Sequence, residues 1–145
     1  MNSTRLAPLQ TVAESREEEA VRRLLDCQRE LAERQSRLEE LRRYAQDYAA
    51  QAPASTPWLL VNRHAFLGRL AEAERVQQQR VAEAQLAVEA ERARWILSRR
   101  DVSVLDQLAA CYRAREQQQV ERREQRASDE LALRRFVAGQ AQAIR

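Results

Sequence analysis

Residues 81–109 read VAEAQLAVEAERARWILSRRDVSVLDQLA, and the spacing of their apolar side chains is the strongest indication of the fold. In this segment, residues that are mostly apolar or small recur at alternating steps of three and four. This is the spacing expected of an α-helix that packs one face against a partner helix. The pattern extends in both directions, because the chain between Pro57 and Gly139 has no proline and only one glycine, Gly68. The sequence therefore predicts one very long helix of about eighty residues, which spans roughly 120 Å at 1.5 Å per residue.

The residues before Pro57 predict a second, shorter helix with the same periodicity. Arg34 weakens its apolar stripe, since a guanidinium in that position has to reach out of a two-stranded core to water. Pro53 and Pro57 cannot continue a helix, and Thr56 can cap a new helix that starts at Pro57. A connection this short favours an antiparallel return. The predicted stripe consists of Ala20, Leu24, Cys27, Leu31, Arg34, Leu38, Leu41, Ala45 and Tyr48.

The facing stripe of the long helix is thinner, because several of its positions are small or polar. Small side chains allow close approach of two helices but bury little apolar area, so the pair is predicted to be only modestly stable. This stripe consists of Leu67, Leu70, Glu74, Gln77, Val81, Ala84, Val88, Glu91, Trp95, Ser98, Val102, Leu105, Ala109 and Tyr112.

The predicted fold is all-α: a two-helix antiparallel coiled-coil hairpin with unequal arms, whose long C-terminal helix overhangs, in a single domain of residues 1–145. If the chain reverses near residues 54–55, residue i faces residue 109 − i, so that Leu41 faces Gly68 and pairing ends near residue 105. Residues 107–138 then have no partner within the chain. The expected segments are helix one at about 6–50, a hinge at 51–57, helix two at about 58–138 and a short tail at 139–145.

The composition agrees with a coiled coil rather than a globular core. Of the 145 residues, 32% are charged and only 5% are aromatic, a balance that would also suit a disordered chain if the apolar spacing were not kept over so many heptads. All 25 basic residues are arginine, and the formal charge is +3. The last third, residues 92–145, is the basic part. Such charges either form a solvated helix face or bind an acidic partner or nucleic acid.

The sequence argues against catalysis, metal binding and a membrane span. His64 is the only histidine and Cys27 is far from it by the predicted pairing, so no nucleophile–histidine arrangement is expected. Gly68 and Gly139 do not form a phosphate-binding loop, and no His/Cys cluster has zinc spacing. We therefore expect neither enzymatic activity nor a cofactor. No apolar run reaches the roughly eighteen residues of a membrane span, and no secretory signal opens the chain, so we expect a cytoplasmic protein in which Cys27 and Cys111 stay reduced.

Several motifs, in their order along the chain, resemble the FliJ family of flagellar type III export. An opening Leu6-Ala-Pro-Leu9 precedes a charged helix that ends in Tyr44-Ala-Gln-Asp-Tyr48. A short linker leads to a lone Trp58 and the apolar patch Phe66-Leu67-Gly-Arg-Leu70. A polar helix with Trp95 follows, and the tail contains the run from Glu124 to Glu130 and then Arg134-Arg135-Phe136. The resemblance covers nearly the whole chain, although each motif alone is diffuse.

This resemblance implies a non-enzymatic rod, similar to the central stalk of rotary ATPases, that binds the hexameric export ATPase. It further implies binding to the cytoplasmic domain of the export gate and the escort of export chaperones. The membrane would be reached only peripherally, through the export apparatus at the inner-membrane face of the flagellar basal body. The gate-binding residues carried over by the resemblance are Phe66, Leu70, Ala73 and Gln77, which could instead merely close the helix pair.

The surface that would face the ATPase is the overhang from about residue 113 to residue 136. Its arginines could pair with acidic loops inside a ring, each exposed pair contributing about 0–1 kcal/mol. The apolar residues Leu131, Leu133, Phe136 and Val137 at its end are a candidate docking tip, or a surface for self-association. The expected ATPase-binding residues are Arg113, Arg115, Arg122, Arg123, Arg126 and Phe136.

Three alternatives stay open at this point. The chain could be a generic coiled-coil scaffold or homodimer, for which the mass in solution would be decisive. It could be the equivalent stalk of a virulence-type injectisome, whose architecture is the same. The basic tail could also bind nucleic acid, but it lacks the interleaved aromatic residues that stack on bases, so no nucleic-acid partner is expected.

Overall fold

The computed structural model describes residues 2–51 and 56–144, and within these ranges it contains two helices and no strand. Helix α1 runs from Ser3 to Ala49 and has 47 residues. Helix α2 runs from Pro57 to Ile144 and has 88 residues. The prediction of an all-α chain with two helices of unequal length is confirmed. Part of the predicted hinge, residues 52–55 with Pro53, lies outside the described residues.

The helix ends follow the expected capping chemistry. The side chain of Asn2 accepts hydrogen bonds from the Arg5 amide at 3.2 Å and the Thr4 hydroxyl at 2.8 Å, so α1 begins earlier than residue 6. Thr56 caps α2 as predicted, since its hydroxyl accepts the Leu59 amide at 3.3 Å. At the other end α2 passes through Gly139 to Ile144, so residues 139–144 are helical rather than the short tail expected.

The described residues divide into two units, each of which contains parts of both helices. The first unit, which we call the paired unit, comprises residues 15–99. In it α1 and α2 run antiparallel, with Tyr48 packed on Phe66 at a ring distance of 4.6 Å and Arg42 bonded to Glu74 at 2.8 Å. Every predicted stripe residue in this unit is buried or half-buried, which confirms the heptad assignment. Arg34 reaches Glu30 at 2.8 Å, outside the seam.

The second unit, which we call the terminal unit, comprises residues 1–14 and 100–145. Leu6 is its most buried side chain, at 1% exposure, and Ala13 and Ala109 are also buried. Hydrogen bonds from Gln10 to Asp106 (3.0 Å) and from Ser3 to Glu116 (2.8 Å) show that the start of α1 runs antiparallel to α2 here as well.

Few large side chains hold either unit together. Of the nine buried apolar residues in the described part of the chain, four are alanine, and no polar or charged residue is buried. An alanine methyl buries far less area than a leucine side chain, so the paired unit depends on three leucines and Val88, and the terminal unit on Leu6. The buried residues are Leu6, Ala13, Ala20, Leu24, Leu38, Leu70, Ala84, Val88 and Ala109.

The predicted pairing of individual residues is wrong by about two helical turns. The relation 109 − i places residue 67 opposite Arg42 and residue 99 opposite Gln10. In the structure Arg42 instead contacts Glu74, and Gln10 contacts Asp106. Gly68, the predicted partner of Leu41, is exposed, and a Cβ added to it would meet no atom within 4 Å.

The reason for the shift lies at the start of α2. The end of α1 is opposite Arg63 and Phe66, since Arg63 donates to the Ala49 carbonyl at 2.7 Å and Phe66 packs on Tyr48. Residues 57–62 therefore extend past the end of α1. Pairing between the helices begins later along α2 than the relation 109 − i assumes. As a result pairing continues to Glu116, and the unpaired part of α2 begins at residue 117 instead of 107.

Candidate protein-interaction surfaces

The part of α2 beyond Glu116 is a helix without a partner in the terminal unit. Every described residue from 117 to 144 is exposed. Its internal support consists of polar pairs four residues apart, such as Gln125 with Asp129 at 3.0 Å and Glu130 with Arg134 at 2.7 Å. Pairs of this kind contribute only about 0.2–0.5 kcal/mol each to an isolated helix. We call residues 117–144 the free helix.

A carboxylate marks the point at which the free helix begins. Glu116 accepts two hydrogen bonds from Ser3, one from the backbone amide at 2.8 Å and one from the hydroxyl at 2.7 Å. These bonds, the backbone one first, favour the charged carboxylate and lower the pKa of Glu116. The sequence pattern did not predict this contact, because the predicted pairing ended near residue 105. We call it the Ser3–Glu116 clasp.

The predicted ATPase-binding arginines are all exposed, but they do not share one face of α2. Consecutive helical residues are 100° apart, so steps of seven and four residues return to the same face. Arg115, Arg122 and Arg126 therefore lie in line, Arg123 lies about a quarter turn away, and Arg113 points to the opposite side. Within the described residues no hydrogen bond or ion pair engages Arg122, Arg123 or Arg126, and Arg115 stacks on the Tyr112 ring at 5.9 Å.

The same face continues into the apolar end of the free helix. From Arg126 the steps of seven and four lead to Leu133, Val137 and Ile144, with Phe136 beside them. These side chains are strongly exposed; Phe136, for example, is 61% accessible. One stripe of the helix is thus basic at its base and apolar at its end. We call it the basic–apolar stripe, and it consists of Arg115, Arg122, Arg126, Leu133, Phe136, Val137 and Ile144.

The predicted gate-binding residues all belong to the paired unit, and three of the four are buried or half-buried there. Leu70 is buried at 9% exposure, Gln77 is half-buried, and Phe66 is half-buried between the rings of Tyr44 and Tyr48. Ala73 alone among the four is exposed. The structure therefore keeps these residues on neighbouring turns of α2, but it turns three of them toward α1 rather than toward solvent.

The described residues contain neither a cluster of metal-binding side chains nor a membrane-spanning helix. No group of three or more His, Cys, Asp or Glu side chains among them could hold a metal ion. A surface depression of about 150 Å³ in the paired unit is lined by Glu30, Arg34, Arg80 and Glu83, together with Ala84 and Ala87. No helix in the described part of the chain is long and apolar enough to cross a membrane.

Comparison with protein families gives a match over nearly the whole chain. The family model described as flagellar FliJ protein matches residues 1–141, which is essentially the whole chain. No curated protein and no solved structure matches this chain.

Proposed function

Because the chain belongs to the FliJ family of flagellar type III export components, we propose that it is the stalk that binds the hexameric export ATPase. In this proposal the free helix enters the ATPase ring and the basic–apolar stripe is its contact surface. The observation that carries the proposal is that α2 continues for 28 residues beyond Glu116 with every described side chain exposed. A solvated helix this long gains most of its stability from packing against another surface, so its exposure in the monomer suggests a partner.

The stripe suits a moving contact better than a permanent one. Its arginines are exposed, and an exposed ion pair contributes about 0–1 kcal/mol and weakens with salt. Its apolar end contributes more to the binding free energy, since burying a leucine or phenylalanine side chain stabilises by about 1.5–3 kcal/mol. The proposed mechanism is therefore an anchored apolar end with weak, exchangeable arginine contacts along the wall of the ring.

A chain that ends at Glu116 is expected to lose ATPase binding while it retains its helix pairs. The truncation removes the free helix but keeps the Ser3–Glu116 clasp, which is the last contact between the two helices. Binding of the purified export ATPase, measured by pull-down and by stimulation of ATP hydrolysis, should fall to background. Circular dichroism should still report a helical protein. Unchanged binding by the folded truncation would contradict the proposal.

The proposed function includes binding to the cytoplasmic domain of the export gate and the escort of export chaperones, in the cytoplasm at the inner-membrane face of the basal body. The proposed gate surface is the predicted set Phe66, Leu70, Ala73 and Gln77, with Ala73 as its accessible member. Contact with Leu70 would require the helices of the paired unit to separate locally, since that side chain is buried. Their alanine-rich seam makes such a separation less costly than in a leucine-rich coiled coil.

The Ala73→Glu variant is therefore expected to weaken gate binding by about tenfold, because a charged carboxylate has to be desolvated in the contact. Ala71→Glu is the matched control, since Ala71 is also an exposed alanine of α2 but lies about 160° away around the helix. Titration of the purified cytoplasmic gate domain would measure both. Equal losses, or no loss with Ala73→Glu, would remove Ala73 from the proposed surface.

A further inference from the structure

The first turn of α2 is an apolar helix end without a neighbouring helix. Residues 57–62 extend past the end of α1, whose last carbonyl, that of Ala49, already bonds to Arg63. The four residues after Pro57 remain open to solvent although all are apolar. Their exposed fractions are 71% for Trp58, 43% for Leu59, 50% for Leu60 and 68% for Val61. We call these four residues the apolar helix end.

The apolar helix end points in all directions at once. Four consecutive residues at 100° intervals cover the whole circumference of a helix. A groove on a protein surface covers one face of a helix and is usually matched by an apolar stripe at steps of three and four residues. Four adjacent apolar side chains are covered together by a medium that surrounds the helix end, and the interfacial layer of a lipid bilayer is such a medium.

Along the chain, the segment around the apolar helix end carries basic side chains and no carboxylate, whereas Asp47 lies near the end of α1. Between Asp47 and Glu72 the sequence contains no acidic residue, but it contains Arg63, Arg69 and His64. Arg69 is exposed in the structure. Arginines beside an exposed tryptophan are typical of the boundary between lipid headgroups and acyl chains, where the guanidinium binds phosphate and the indole ring is amphipathic.

We propose that the apolar helix end inserts into the headgroup region of an anionic lipid bilayer, with Arg69 at the lipid phosphates. The contact is peripheral, because no described helix can span a membrane. It would place the start of α2 at the membrane surface directly, rather than only through other export proteins. The inference does not depend on ATPase binding, which the proposed function assigns to the free helix in the other unit.

The tryptophans allow a direct test with the full-length protein. Trp95→Phe leaves Trp58 as the only tryptophan, and it removes an indole N–H that is buried without a hydrogen-bond partner among the described residues. Vesicles of phosphatidylglycerol and phosphatidylethanolamine should shift the fluorescence of this variant to shorter wavelength, and brominated lipids should quench it. Phosphatidylcholine vesicles and high salt should weaken the effect. The converse variant Trp58→Phe, which reports from half-buried Trp95, should show no shift.

Flotation of the protein with vesicles tests the same contact by substitution. Leu60→Glu/Val61→Glu should lower partition into anionic vesicles by about tenfold or more, because two exposed apolar side chains become charged. Leu131→Glu/Leu133→Glu is the matched control, since its residues are 51% and 62% exposed in the free helix, and it should float like the unmodified protein. All four positions are exposed, so circular dichroism should show that both variants fold.

Three results would overturn the proposal. The unmodified protein could fail to float with anionic vesicles, or both double variants could lose flotation equally. In the third result, Leu60→Glu/Val61→Glu weakens binding to the purified gate domain, and neither the unmodified protein nor any variant binds vesicles. This result would identify the apolar helix end as a protein contact. Loss of ATPase binding in any variant has no bearing on these readouts.

Discussion

The double variant Arg122→Glu/Arg126→Glu is expected to bind the export ATPase at least about tenfold more weakly than the unmodified protein. Each exposed arginine–carboxylate pair contributes about 0–1 kcal/mol, and charge reversal replaces attraction by repulsion of similar size. At about 0.5 kcal/mol each for the lost attraction and the new repulsion, two reversals cost about 2 kcal/mol, and 1.4 kcal/mol corresponds to a factor of ten in Kd. Titration of the purified ATPase, together with its hydrolysis rate, would measure the loss.

The matched control for this variant is Arg123→Glu/Arg135→Glu, which changes the net charge equally. Both arginines are exposed. Arg123 belongs to the expected ATPase-binding residues but lies about a quarter turn from the basic–apolar stripe, and Arg135 lies on the opposite side, so this control tests the stripe against the wider set. We expect at most about a threefold loss for the control, from long-range attraction alone. High salt should reduce the difference between the two variants. If both lose binding equally, net charge rather than the stripe governs the contact.

The Leu24→Ala variant is expected to lose about 2–3 kcal/mol of stability. Leu24 is buried at 9% exposure in a seam that contains few large side chains. Its truncation removes apolar contacts and leaves a cavity that a pair of long helices can only partly close. The affected region is the paired unit, and urea unfolding followed by circular dichroism would measure the change in the free energy of unfolding.

The next residue provides the control. Leu25→Ala makes the same chemical change in the same turn of α1, so the change in helix propensity is the same. Leu25, however, is 52% exposed, and a surface substitution of this kind usually alters stability by at most about 0.5 kcal/mol. A similar loss in both variants would mean that the heptad stripe does not form the core of the paired unit.

The helices and their buried faces could be predicted from the sequence because both depend on local information. Helix propensity and the 3/4 spacing of apolar residues are properties of neighbouring positions, and they located every stripe residue from Ala20 to Tyr112. The cap at Thr56 was likewise predictable from residue type. The C-terminal end of α2 could not be predicted in this way, because Gly139 has a helical conformation and does not terminate the helix.

The pairing between the helices could not be predicted, because it depends on the geometry of the reversal. A heptad seam tolerates a shift of seven residues, since small residues recur at the same positions after each shift. The structure selects the pairing in which Phe66 packs on Tyr48, and this moves the start of the free helix by about ten residues. The conflict over Leu70 was visible in the sequence itself, since the heptad count placed it in the seam while the family resemblance made it a gate contact.

The Ser3–Glu116 clasp has a consequence for how the length of the free helix can change. Pairing ends where α1 begins, so the unpaired length of α2 depends on the position of Ser3, the first residue of α1, as well as on the length of α2 itself. Removing seven residues from the start of α1 would uncover about 10 Å more of α2 at 1.5 Å per residue, without any change in α2 itself. A protein shortened in this way would present a longer exposed stretch of α2 and keep the basic–apolar stripe unchanged.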